Sequence, residues 1–484
     1  MFNKFNQQAK KPITIIAFVA SFIYFGFFRF WMIPSGDDYF WWGNQGTYLL
    51  YHGFYGPQAT YGGSSNGRYF GNLLEIITMH RLTLAVLAYA IGWTLLIWCI
   101  WKLSGKTIAS LLLSPLFVFT LQGGFINNVL AWNAGFVNYV PPMILVLLYL
   151  IVLEWDIPSK VKPFIPILTL LLAFSAGLFD ENMTIPSVIL AILVILYYRK
   201  KTKALHITYL IGAILSAVIM FIHRGYHEAS IYRVTTFNPN KIWQDYGTVT
   251  HFWLVTFNIA LIVAILLAIF SLTVKSNLPV IRKWLTAIVA AIFLVYYIFI
   301  NIYLKTIPLN DGYSYNALDP KLWNREGIIS VIFILFIAYA IFTFFKTDPK
   351  MWLYVLLIGA IAGQLLFVES PVNPRGYFLT YIFMYLIAMK FVLKALDAIK
   401  VNQYVINLAL LLALIFMGGN YQIKVHTNYV ANLERVNHPQ FYKRGVLFSK
   451  HIPYREFVWT NDLTNQQSPA YWNLYLTKHH LIKN

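Results

Sequence analysis

The chain is expected to fold as an all-α polytopic membrane protein, and three observations carry that expectation. Apolar residues make up 59% of its 484 positions and charged residues only 11%, against roughly 25% charged in ordinary soluble domains. The apolar residues gather into runs that approach or exceed the roughly 20 residues needed to cross a bilayer as a helix. The 37 basic residues also fall unevenly between alternate loops. A net charge of +19 would otherwise suit nucleic acid, but that distribution assigns it to topology, and no nucleic-acid partner is expected.

Taken in order, the runs predict about 13 spans, at 12–33, 76–101, 107–121, 136–153, 164–178, 183–198, 205–222, 251–271, 284–304, 327–345, 351–368, 377–393 and 403–418. With the N-terminus inside, the inner segments are 1–11, 102–106, 154–163, 199–204, 272–283, 346–350 and 390–402. They hold 19 of the 37 basic residues, including the "RKKTK" run at 199–203, and only four of the 18 acidic ones. Basic residues accumulate on the cytoplasmic side of membrane proteins, so the sidedness follows. The first span has no cleavage site behind it and is expected to stay as an anchor. Cys99, the lone cysteine, lies within an apolar run and excludes an intramolecular disulfide framework.

This topology leaves a transmembrane domain at 1–418, with a first external loop at about 34–75, and an external tail at 419–484. The tail carries eight basic and three acidic residues and many aromatics. It is too short for a sizeable core of its own and is expected to pack over the external loops. The inner loops are short and basic, so the chemistry-bearing stretches all fall on the outer face. No internal repeat of the transporter kind is visible.

Four outer stretches are candidates. In "GDDYFWWG" two adjacent acids, Asp37 and Asp38, stand where the first span ends. They read either as a solvated helix end within an aromatic belt, or as a general base whose pKa is raised by burial and the neighbouring charge. In "SSNGRYFGNLLE", Asn66, Arg68 and Tyr69 precede the second span. This is either a turn with an anchoring arginine or an Arg fork offered to a phosphate, with glycines that let backbone approach the ligand. In "SAGLFDENMTIPS", Asp180, Glu181 and Asn182 join two runs of 15 and 16 residues. Each run covers only about 22–24 Å of a core about 30 Å thick, which recesses three polar side chains into the outer leaflet, where they need a cavity or a partner. In "FVESPVNPRGYF", Glu369 and Arg375 flank a Pro-stiffened turn, as a helix-joining ion pair or with Arg375 aimed at an anion. "HRGYHE" has metal-compatible spacing but no further ligand nearby, so no metal site is expected. No cofactor is indicated; a divalent metal is compatible with the acids but not called for by them.

The residues together resemble the C-type membrane glycosyltransferases (GT-C), and within them the GtrII-like bacterial glucosyltransferases. The points of resemblance are "GDDYFWW" after the first span, "NGRYFGNLL" before the second, "AWNAGFVNYVPP", "DENMTIP", "NPRGYF" and, in the tail, "SPAYWNLYL". The resemblance implies a multi-pass enzyme of the bacterial plasma membrane. Such an enzyme takes a sugar from a polyprenyl-phosphate donor and passes it, with inversion, to a cell-surface glycan or glycolipid acceptor. It implies Asp37 or Asp38 as the base, Arg68 and Arg375 on the carrier phosphate, and Asp180 or Glu181 orienting sugar or acceptor. Asn66, Tyr69, Asn182 and Glu369 complete the expected substrate-binding set. The absence of an internal Gly-rich phosphate loop agrees with a lipid-borne donor, and a Lys-, Asn- and Ile-rich composition agrees with a bacterial source. Two rivals remain: a lipid-linked polysaccharide polymerase or ligase, and a flippase or transporter, which would place ionisable groups at mid-membrane.

Overall fold

The computed structural model describes residues 11–56, 66–227, 234–307, 318–368, 372–399, 401–437, 452–459 and 468–482. Along the chain the helices are α1 (Lys11–Phe30), α2 (Asp37–Trp42), α3 (Asn44–Tyr51), α4 (Tyr69–His80), α5 (Leu82–Leu103), α6 (Ile108–Phe119), α7 (Gly123–Phe125), α8 (Asn133–Leu153), α9 (Ile165–Ala176) and α10 (Glu181–Tyr198). They continue as α11 (Ala204–Ile222), α12 (Pro239–Asp245), α13 (Ile259–Lys275), α14 (Val280–Leu304), α15 (Pro320–Phe345), α16 (Pro349–Leu365), α17 (Arg375–Ile399), α18 (Gln403–Asn437) and α19 (Ser468–Lys478). Among the described residues, extended pairing is confined to one bridge between Thr235 and Val368.

Eight of these helices are long and apolar enough to cross a membrane, or up to ten if each of two bent pairs forms one crossing. The eight are α1, α5, α8, α10 with its extension to Lys201, α11, α14, α15 and α18. Their surfaces match that role. In α14, Ile281, Trp284, Ile288, Ile292, Val295, Phe299 and Ile302 are exposed at helical spacing, while Ala290, Phe293, Tyr297 and Leu304 face inward. A continuous exposed apolar stripe of this length is at home in lipid, not water. The chain is thus a multi-pass helical membrane protein.

Several boundaries differ from the sequence expectation, and two change the reading of an element most. The run 76–101 is two helices, because Arg81 adopts an extended backbone (φ −135°, ψ 92°) between α4 and α5. Helix α4 buries Asn72, Glu75 and Thr78, a polar face that hydropathy averaging over the run hides. The run 403–418 continues unbroken as α18 for 35 residues, so residue 419 lies mid-helix. Nothing after Gly419 interrupts helical geometry: "NYQIKVHTNYVANLERVN" contains neither Pro nor Gly.

The chain divides into two compact units. One comprises Lys11–Cys99, Gly123–Ala229 and Ala413–Asn484. Within it α9 packs along α8 and α11, α10 packs on α11, and α4 lies on α8 and α2. The C-terminal helix α19 docks over α2: Trp472 Nε1 donates to Pro34 O at 2.7 Å, Tyr471 stacks on Tyr39 and Tyr475 meets Trp42 edge-on. The other unit is built from Ile100–Gln122 and Ser230–Leu412. There α13 packs on α14 and α17, and α16 on α17. Its Pro239–Thr256 segment, with two π-helical turns at Tyr246–Thr250 and Phe252–Thr256, bends by 60° against Ile259–Lys275.

Candidate functional site

The site grows from the turn that follows α1. Gly36 sits at φ +57°, where other residues are strained, and a Cβ there would lie 2.0 Å from the Trp459 ring. Trp459 in turn stacks on Trp132 at 4.6 Å with the rings nearly parallel, and Trp132 Nε1 donates to Ser35 O at 2.9 Å. Only glycine lets the chain turn this close to the indole pair and open α2 immediately afterwards.

The two acids then diverge. Asp37 is exposed and Asp38 is fully buried. The Ser35 backbone N–H donates to Asp38 Oδ2 at 3.0 Å, and the Ala134 N–H, in the first turn of α8, donates to Oδ1 at 2.8 Å. Asp38 therefore ties the turn to a helix N-terminus, an arrangement favoured by the helix dipole. Burial pushes its carboxyl up to about 7, helped by Asp37, while those two N–H groups and the Arg29 guanidinium pull it down.

Beneath Asp38 lies a residue absent from the sequence-derived set. Glu75, on α4, is 1% exposed. Burial raises its carboxyl well above the ordinary range, as do the charges of Asp38 and Asp37 and a hydrogen bond with Asp38; the positive Arg68 opposes this. Arg29, at the end of α1 and also buried, donates from Nη2 to Asn133 Oδ1 at 3.3 Å, and Asn133 Nδ2 donates to Thr78 Oγ1 at 3.0 Å. The signal for Glu75 was the spacing of Asn72, Glu75 and Thr78, three residues apart and hence on one face of a helix.

Arg68 organises the second half. Asn66 Oδ1 accepts from Arg68 N at 3.0 Å and from Asn72 Nδ2 at 3.1 Å. The guanidinium meets Glu181 Oε2 at 2.5 Å through Nε and Asp180 Oδ2 at 3.0 Å through Nη2. Two carboxylates on one arginine leave this trio with a formal charge of −1. Asp180 is buried and caps α10 by accepting from the Asn182 N–H at 2.8 Å. Tyr226 donates to Glu181 Oε1. Around the trio stand Tyr55, Tyr69 and His223, with His223 ring centroids 4.3 Å from Tyr55 and 5.8 Å from Tyr69. Tyr69 OH approaches Tyr55 OH at 3.4 Å, and its ionisation is pushed up by burial and that contact. Gly71 permits the close packing of α4, since a Cβ there would fall 2.3 Å from Asn138 Oδ1 and 2.9 Å from Phe179 O.

The structure thus brings Asp37, Asp38, Asn66, Arg68, Tyr69, Asp180, Glu181 and Asn182 into one unit. Arg375 opens α17 in the other unit, and Glu369 lies outside the described residues. Tyr55, His223, Tyr226, Arg29 and Glu75 join the constellation without having been singled out for it. Both ring nitrogens of His223 are committed to backbone: Nε2 donates to Phe54 O at 3.0 Å, and Nδ1 accepts from Gly225 N at 3.1 Å. Among the described residues, no group of three or more His, Cys, Asp or Glu side chains is placed to hold a metal. Chemically, the site offers an accessible carboxylate, an acid–arginine–tyrosine cluster and several ring faces, a combination suited to hydroxyl-rich ligands. No protein-family model, no curated protein and no solved structure matches the chain.

Proposed function

We propose that the protein is a membrane glycosyltransferase of the bacterial plasma membrane, GT-C-like in architecture and acting at the external face. It would move a sugar from a polyprenyl-phosphate donor to a cell-surface glycan or glycolipid. The observation that carries this reading is the split fate of the acid pair: one carboxylate anchored and buried, its neighbour presented outward from a turn walled by Trp132 and Trp459. A solvated helix end needs no such anchoring.

Asp37 is the base. It takes the proton from the acceptor hydroxyl as that oxygen bonds to the anomeric carbon. The anomeric carbon's bond to the carrier phosphate breaks, the phosphate leaves with the electron pair, and configuration inverts. Asp37 then returns its proton to water, which exposure permits. Glu181 and Tyr226 orient sugar or acceptor hydroxyls, with Tyr55 and Tyr69 offering ring faces, while the buried Asp180 holds Arg68. Arg68 already faces two carboxylates and is better suited to holding those acids in place. No step requires a metal.

The test is sugar transfer by purified Asp37→Asn with a defined lipid-phosphate sugar and acceptor. Asn keeps the shape but takes no proton, so turnover should fall about 10²–10⁴-fold, the usual contribution of a general base, with donor binding retained. A variant that transfers at the unsubstituted rate ends the reading.

A further inference from the structure

Arg282 lies in the first turn of α14, half-buried, and reaches across to α15. Its Nε donates to Tyr339 OH at 2.8 Å and its Nη2 to Thr343 Oγ1 at 2.9 Å. Tyr339 OH also meets Thr286 Oγ1 at 3.0 Å, so the hydroxyl that receives the guanidinium is itself held from α14. We propose that Arg282 heads a binding site for an anionic phospholipid. The lipid phosphodiester sits on the guanidinium between α14 and α15, and the acyl chains lie along the two helices.

Charge and edge geometry carry the first half of the assignment. Hydroxyl partners satisfy N–H groups but leave the positive charge whole. Lys283 Nζ donates to Ser276 O at 3.3 Å, and Lys346 Nζ lies 5.4 Å from the Phe342 ring centroid, partners that likewise leave each charge unopposed. Among the described residues, no carboxylate is placed to pair with Arg282, Lys283 or Lys346. Asp348, the acid nearest Lys346 in sequence, is bonded to Lys390 Nζ at 2.6 Å. A guanidinium presents paired N–H donors on more than one edge. Here the edge of Nε and one Nη2 hydrogen is taken by α15. The edge of Nη1 and the other Nη2 hydrogen is left, the fork that matches two phosphate oxygens. An arginine that only reached past the lipid edge for water would not be clamped sideways onto the next helix.

The apolar surface beyond the cations fits the rest of a lipid. On α14, Leu285 and Ile292 follow Arg282 at helical spacing. On α15, running back from Lys346, Phe342, Leu335 and Ile332 do the same, and all five are exposed. The helices meet through long side chains, Arg282 over the Tyr339 ring and, deeper, Phe293 on Phe333 and Phe336. Each helix thus offers a cation near its end and an apolar stripe leading into the bilayer, one stripe for each of two chains. This is the end of both helices that the charge distribution assigns to the cytoplasm, where basic pockets between membrane helices take lipid head groups.

The test needs no enzyme activity, so it stands or falls apart from the transfer reading. The whole protein, purified in detergent, is titrated with phosphatidylglycerol and separately with phosphatidylcholine, and native mass spectrometry reads the affinity for the first lipid bound. Phosphatidylglycerol should bind more tightly, because the choline cation meets Lys283 and Lys346. Arg282→Gln should weaken phosphatidylglycerol by about fivefold or more, the effect of one cation at a membrane surface. Arg282→Lys should weaken it less. Tyr339→Phe, which keeps the ring but loses the hydroxyl that orients the guanidinium, should act in the same direction, as should Lys346→Ala. Lys201→Ala, which removes an exposed basic residue of the other unit, should change nothing. Equal binding of the two lipids, an Arg282→Gln variant as avid as the parent, or an equal loss in Lys201→Ala overturns the proposal. So does displacement of the lipid by an equal concentration of glycerol phosphate, which would mark a site for soluble phosphates. Should Arg282→Gln fail to fold, Tyr339→Phe and Lys346→Ala carry the same comparison.

Discussion

Asp37 and Asp38 are chemically the same residue one position apart, and their surroundings give them opposite work. The sequence offered the doublet as a candidate base; which member is buried and which is exposed was not legible, because it depends on Ser35 and Ala134, and Ala134 is almost a hundred positions away. Stability measurements should separate them. Asp38→Asn loses a carboxylate that two backbone N–H groups rely on, and an amide offers one oxygen to those donors. It should destabilise the protein by about 1–3 kcal/mol, the penalty of a buried donor left unmet. Asp37→Asn should melt within about 0.5 kcal/mol of the parent, as surface substitutions do. Chemical or thermal unfolding in detergent reads both, and equal effects would contradict the assignment.

At the scale of elements, the long apolar helices were readable because a run of Leu, Ile, Val and Phe has few alternatives. What escaped was polarity hidden inside such runs. Arg81 divides an apparently continuous span, and α4 carries Asn72, Glu75 and Thr78 toward the interior, a pattern that averaged hydropathy erases. The "DEN" turn was singled out as polar residues in need of a partner; the partner, Arg68, lies more than a hundred residues earlier. That ion trio joins the start of α4 to the start of α10. Removing the guanidinium leaves Asp180 buried without its countercharge, so Arg68→Ala should cost about 3–5 kcal/mol. Arg68→Ala combined with Asp180→Asn should recover part of it, a coupling that unfolding midpoints of the four variants in a double-mutant cycle would reveal. Strict additivity would mean the pair contributes nothing.

For the molecule as a whole, the buried acids set a pH dependence. Asp38 rises in the folded state from 3.8 to about 7, and Glu75 rises too. Between those values the folded Asp38 binds more protons than the unfolded one, so its contribution to stability falls as pH rises from about 4 toward 7, by up to roughly 1.4 kcal/mol per pH unit, and Glu75 acts in the same direction. Unfolding midpoints should be higher at pH 5 than at pH 8, and Glu75→Gln should flatten the slope. Sidedness has its own test. Cys99 is fully buried, so an impermeant thiol reagent should pass over the parent protein. Cysteine placed at the exposed Tyr51 should label in intact cells if α3 faces outward, with any outer membrane permeabilised; labelling only after lysis would reverse the orientation. Finally, α18 is longer than any bilayer is thick. Its 35 residues reach about 52 Å at 1.5 Å per residue, against a hydrocarbon core of about 30 Å. It is held to α1 by Tyr24 OH on Gly418 O and by Gln422 on Tyr24 O. Farther along, Asn428 donates to Pro453 O and Arg435 lies over the Trp472 ring, in the helix that covers α2. One continuous helix thus runs from its apolar start to contacts with the helix that covers α2. A mismatch between its apolar length and the surrounding lipid would be relieved by tilt, and that tilt would be felt where Asp37 stands.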